Sequence, residues 1–233
     1  MISFKWRHFE KTVILMAVRW YVAYPLSYRN IKELMEERGV DVDHSTINRW
    51  VVKYSPELEK KFRKKHKRPV GFSWRMDETY VKIKGVWYYL YRALDKSGDT
   101  VDFLLCKRRD KKAAKRFFNK VIGNSGHPEK ITIDKSGANK AALDAINDDL
   151  MLAFFYTSFL HKICIRQVKY LNNIVEQDHR FIKKITRAML GFKKFRTARA
   201  TLYGIELHHM LRKGQHVNAA NMTIFEQFYD LAA

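Results

Sequence analysis

Cysteine is nearly absent. Cys106 and Cys164 are the only two, without a CxxC pair, so neither a disulfide framework nor a cysteine-held zinc is plausible. Both are expected to be small buried hydrophobes. Proline and glycine are scarce, at 4 and 10 of 233 residues, and no repeat or low-complexity tract interrupts the chain. No run reaches the roughly 18 consecutive apolar residues of a membrane span; the nearest, Leu150 to Leu160, is shorter and contains Thr157 and Ser158. Met1 to His8 lack a signal-peptide pattern, so the chain is expected in the cytosol, with no membrane partner. Acids are outnumbered: 24 Asp and Glu against 45 Lys and Arg leave a net charge of +21. That excess implies a polyanionic partner. With 46% hydrophobic and 14% aromatic residues, most of the chain is folded rather than disordered.

The length suits one or two domains. Before residue 70 the period is helical. Val13, Ile14, Ala17, Val18 and Tyr21 recur at three-to-four spacing; Ser27 can cap a second helix carrying Ile31, Leu34 and Met35, which Gly39 stops; a third begins near Asp43 to Ser45 and turns Ile47, Trp50 and Val51 inward. Three short helices with a tight connection make a helix-turn-helix candidate. Ser45, Thr46, Asn48, Arg49 and Lys53 fall on the outer side of the third, a mixture able to meet phosphates and base edges in a major groove. The basic run Glu59 to Pro69, with Lys64 and Lys65 at its centre, is the evident linker, and a boundary near residue 70 follows.

After residue 70 the period changes. Trp74 to Ile83, Val86 to Leu94 and Thr100 to Leu105 are rich in Val, Ile, Tyr, Trp and Thr and are parted by Lys84-Gly85 and Asp95 to Asp99, which predicts a three-stranded antiparallel meander. Asp110 can cap a helix that Gly123 ends; a strand Lys130 to Ile133, a helix from about Asn139 to Asp149, a strand around Ile163 to Tyr170 and a helix from about Asn172 to Leu190 follow. The result is an α/β mixed sheet flanked by helices.

Two acids sit on this frame where a catalytic group can be held rigidly. Asp134 ends an apolar strand, and either Asp77 or Glu78 lies inside the first strand; alternation gives Asp77 the face of Thr79 and Val81, and Glu78 that of Met76 and Tyr80, without deciding between them. The third acid lies on the last long helix, where Glu176, His179, Arg180, Lys183 and Arg187 share one stripe opposite Ile174, Val175, Phe181, Ile182, Ile185 and Met189. Glu176 is the single acid of that stripe, and Arg180 and Lys183 can hold a phosphate backbone. Asp178 falls among the apolar positions and looks structural. Converging carboxylates suit Mg²⁺, which prefers oxygen ligands, and two such ions can drive an in-line phosphodiester displacement.

Four stretches carry a resemblance: Val42 to Val51, Met76 to Lys82, Ile133-Asp134-Lys135, and Tyr170 to His179, extended by Leu190 to Lys193 and Leu211 to Gln215. Together they resemble bacterial DDE transposases of the insertion sequence six family over nearly the whole chain. The resemblance implies an RNase H-like catalytic domain preceded by a small all-α helix-turn-helix domain, laid out as a helix-turn-helix over 1–56, a basic linker over 57–70, the catalytic domain over 71–195 and a C-terminal helical segment over 196–233. It implies binding to terminal inverted repeats and target DNA, two Mg²⁺ ions with Mn²⁺ able to substitute, and strand cleavage and transfer. Matched motif to motif, the catalytic and metal-binding triad falls on Asp77, Asp134 and Glu176, with Lys183 as the basic residue two turns on. Concerted use of two DNA ends implies at least a dimer, working at the nucleoid. The alternative is a non-catalytic DNA-binding protein, a degraded copy or an end-binding repressor. The chain between Asp134 and Glu176 is longer than in the family, and the excess falls on Leu150 to Leu160, which is expected to extend the preceding helix to a subunit contact.

Overall fold

The computed structural model describes residues 2–4, 8–157, 161–189 and 191–233. The chain divides into two compact units, one of Met1–Arg68, Ile83–Gly85 and Phe181–Ala233, the other of Pro69–Lys82 and Val86–Arg180. No helix among the described residues is long and apolar enough to cross a membrane.

In the first unit α1 (Lys11–Ala23), α2 (Tyr28–Glu36) and α3 (His44–Lys61) follow the expected order. Ser27 and Asn30 form a capping box at the start of α2, Asp43 accepts from the Ser45 amide at the start of α3, and Gly39 takes φ 73° between them. The expected linker is instead helical. α3 runs through Pro56, and one π-helical turn, Phe62–His66, continues it. Leu58 and Phe62, one turn apart, are fully buried, and Glu59 pairs with Arg63, so an apolar stripe persists inside the basic run.

The C-terminal segment belongs to this same unit. α7 (Phe195–Arg212) packs on α1 and α3, and α8 (Ile224–Asp230) on α7. Gly204 permits the closest approach: a Cβ there would stand 2.5 Å from Ser55 Oγ and 2.6 Å from Val22 Cγ1. Gly204→Ala is therefore expected to destabilise the unit by about 1 to 3 kcal/mol through overpacking. A lowered urea midpoint measures it; an unchanged or raised one would show that the helices part freely.

The second unit is a five-stranded sheet in the order β3-β2-β1-β4-β5, from β1 (Ser73–Ile83), β2 (Val86–Asp95), β3 (Thr100–Cys106), β4 (Lys130–Ile133) and β5 (Cys164–Gln167). Lys84 and Gly85, both at positive φ, make the two-residue turn between β1 and β2. β2 and β3 are antiparallel, whereas β4 lies parallel to both β1 and β5. α4 (Lys111–Ser125) and α5 (Gly137–Thr157) supply Phe117, Phe118, Leu143 and Ile146, which pack with Trp74, Met76, Tyr91, Ile131 and Ile133 into one core. This is the expected α/β mixed sheet.

Some boundaries differ. α4 passes Gly123 and stops at Ser125, before Gly126 at φ 85°, because Gly123 keeps helical dihedrals. β5 covers only Cys164–Gln167 and gives way to a 3-10 turn, Lys169–Asn172. Cys106 is buried as expected, but Cys164 is exposed, since β5 is an edge strand. α5 does extend through Leu150 as far as Thr157; residues 158–160, and the aromatic side chains from Phe154 on, lie outside the described residues.

Candidate active site

The parallel pairing of β1 with β4 sets Ser73 against Lys130, Trp74 against Ile131 and Arg75 against Thr132. The same offset carried two residues on brings Asp77 level with Asp134, each just past the paired segment at the carboxyl end. Ligand oxygens of Asp77, Glu78 and Asp134 all lie within 4.8 Å of one another. Both members of the Asp77–Glu78 pair thus reach the same spot.

Arg109, directly before the Asp110 cap of α4, holds this cluster together. Its guanidinium lies 2.9 Å from Asp134 Oδ2 and 3.3 Å from Glu78 Oε2. The Ser136 amide donates to Asp134 Oδ1 at 3.0 Å, and Asn139 Nδ2 donates to Glu78 at 3.0 Å and Asp134 at 3.3 Å. Neither Arg109 nor Asn139 was singled out by sequence: Arg109 ends the basic triplet Lys107-Arg108-Arg109, which looks like a solvated face, and Asn139 looks like a helix start.

Burial pushes the Asp77 carboxyl up to about 7, with the Glu78, Asp134 and Glu176 charges adding to the rise and the Glu78 amide opposing it. Burial also raises Glu78, against Arg109 and Asn139, which favour its charge. The donor chemistry fits a hard divalent cation: all the ligand atoms are carboxylate oxygens, and buried Glu78 Oε2 has an ion-pair contact but no hydrogen bond.

Below about pH 7 the folded protein keeps a proton on Asp77 that a cation must expel, so apparent Mg²⁺ or Mn²⁺ affinity should rise about tenfold per pH unit up to 7 and level off above it. The same raised value means that stability is fullest below the ordinary carboxylate range and falls as pH rises from about 4 to 7. Calorimetric titration across pH 5 to 8 checks the first point; a flat profile would show that Asp77 takes no part in cation binding.

α6 (Asn173–Ala188) carries the third acid. Asn172, buried just before it, donates to the Met76 carbonyl at 3.2 Å and so ties the helix start to the strand beside Asp77. Glu176 is exposed and outside the tight cluster, though its charge acts on Asp77. His179 does not belong to the solvated stripe: it is buried, its Nδ1 3.8 Å from Asp77 Oδ2. Asp178 pairs at 2.6 Å with Arg92, whose side chain is fully buried, which fits its structural reading. Arg180 is exposed in this unit, and Lys183 is exposed in the first.

On α3, Ser45, Arg49 and Lys53 are exposed and Thr46 and Asn48 half-buried, with Ile47, Trp50 and Val51 inside. Arg49 donates to Thr46 at 2.8 Å, Asn48 hydrogen-bonds Tyr28, and Lys64 and Lys65 are exposed on the π-helical turn.

The family described as DDE domain matches residues 71–215. The transposase for insertion sequence-like element IS431mec of Staphylococcus aureus is 44% identical over 91% of this chain and 90% of its own length. The transposase for insertion sequence element IS257 in transposon Tn4003, from the same organism, matches to the same extent. Among solved structures, the BIV integrase catalytic core domain covers 69% of this chain and 95% of its own at 14% identity and a TM-score of 0.43. The HTLV-2 integrase catalytic core domain in complex with magnesium covers 70% and 83% at 16% identity and a TM-score of 0.37.

Proposed function

The chain belongs to the DDE-domain transposases of insertion sequences, and we propose that it binds the terminal inverted repeats of its element and cleaves and joins DNA strands there, as a homo-oligomer at the nucleoid. The observation that carries this reading is the register of β1 and β4, which sets Asp77 level with Asp134 in one cluster of carboxylate oxygens.

Asp77, Asp134 and Glu176 are the residues that would hold two Mg²⁺, or Mn²⁺ in their place. When bound, the ions supply charge stabilisation to the attacking and leaving oxygens of an in-line displacement. The chain does the rest. Asp77 gives up its proton as the site loads. Arg109 keeps Glu78 and Asp134 from repelling each other beforehand, and Arg180 and Lys183 hold the phosphate backbone. A water oxygen forms a bond to phosphorus, the bond to the 3′ oxygen breaks, and the freed 3′-hydroxyl attacks a target strand in the same way. No covalent link to the protein forms, so positioning and charge stabilisation are the protein's contribution.

Incubating the purified chain with an element-end oligonucleotide and Mg²⁺ tests this reading: strand-transfer products are expected. Salt-sensitive binding without any product would favour the non-catalytic DNA-binding alternative.

Recognition is assigned to α3. Arg49→Ala should reduce discrimination between the element's end and random DNA by about 1 to 3 kcal/mol, the value of a bidentate base contact. Replacing Lys64 or Lys65 should weaken binding to all sequences alike. Competition binding distinguishes them, and equal losses on both DNAs for Arg49→Ala would make it a phosphate contact.

A further inference from the structure

One face of the β1–β2 hairpin changes character along its length. Met76 and Tyr91 lie in the core under the helices, and Glu78 is buried in the carboxylate cluster; beyond them the same face carries Tyr80, Lys82, Trp87 and Tyr89. Tyr80 is 51% and Trp87 55% exposed, and they adjoin each other rather than being scattered singly. The rings form a group: Tyr80 meets Trp87 edge-on at 6.2 Å and Tyr89 at 5.4 Å, and Lys82 Nζ stands 5.4 Å over the Trp87 ring.

We propose that this face is a stacking platform for unpaired bases at the DNA end, a reading that rests on the end-cleaving function above. Three features select that occupant. Aromatic rings beside a cation hold bases through their π-faces, whatever the sequence, whereas paired bases inside a duplex hide those faces. A chain of net charge +21 draws polyanions to its surface, and nucleic acid supplies both that charge and aromatic bases to stack. Finally, the platform is continuous with the catalytic cluster: Tyr80 is three residues, or about 10 Å, along the strand from Asp77 and two from Glu78, whose face it shares. Bases freed beside the scissile phosphate would therefore be held next to the acids, keeping the strand open for attack.

The full chain is titrated, without divalent ions, with two element-end duplexes identical except that the last three base pairs of one are unpaired. The wild type should prefer the unpaired end about tenfold. Trp87→Ala should bring the ratio near one, Trp87→Phe should keep most of it, and thermal melting should confirm that both variants fold. A wild type without preference, or a Trp87→Ala chain that retains it, overturns the platform, while cleavage of paired ends by that wild type leaves the transposase reading standing. If Trp87→Ala instead changes the mass in solution and not the ratio, the face is a subunit contact and the proposal fails. Failure to bind either end overturns both readings.

Discussion

Asp134→Asn should leave binding to element-end DNA intact while strand cleavage and transfer fall on the order of a thousandfold or more. Metal-supplied charge stabilisation is worth several kcal/mol, and about 4 kcal/mol corresponds to three decades of rate. The substitution keeps the Oδ1 that accepts from the Ser136 amide and Asn139, and removes the charge beside Asp77 together with the Oδ2 that Arg109 pairs with. Asp77→Ala and Glu176→Ala should fail as completely, because a two-ion site missing one ligand loses its geometry. Gel assays with labelled ends read binding and product separately. Retained transfer in any of the three would remove that residue from the catalytic set, and retained transfer in Asp77→Ala with loss in Glu78→Gln would move the role to Glu78.

The largest loss of stability is expected at Asp178. Its carboxylate lies 2.6 Å from an Arg92 side chain with no solvent exposure, and withdrawing one partner of such a pair costs about 3 to 5 kcal/mol. Asp178→Ala should therefore lower the urea midpoint sharply. Asp178→Asn, which keeps an oxygen acceptor, should lose less and retain strand transfer at temperatures where it is folded. An Asp178→Asn chain that is stable but inactive would contradict the structural role and place Asp178 among the reacting groups.

How much of this was legible beforehand depends on the range of the interaction. The meander was, because Lys84-Gly85 between two runs of alternating β-formers is a local signal, and so were the caps at Ser27 and Asp110. The facing of Asp77 and Asp134 was not, because it depends on the register of two strands far apart in the chain, and only a resemblance to known motifs chose Asp77 over Glu78. Arg109 and His179 were hidden for a related reason. Arg109 ends a basic triplet and His179 sits in a basic helical stripe, and each becomes a neighbour of the carboxylate cluster only through a long-range contact. The linker misled because its Lys and Arg residues outnumber Leu58 and Phe62, the two buried side chains that make it a helix.

The helical unit is assembled from segments on either side of the sheet unit in sequence, and that governs its birth on the ribosome. α1 to α3 are made before the sheet unit, yet Val22 and Ser55, which close on Gly204, wait for α7. At roughly 5 to 20 residues per second, the intervening sheet unit takes on the order of ten seconds to be made, so α1 to α3 wait that long for the helix that packs on them. A message cut short before Phe195 would thus leave α1 and α3 with the faces that α7 covers open to water.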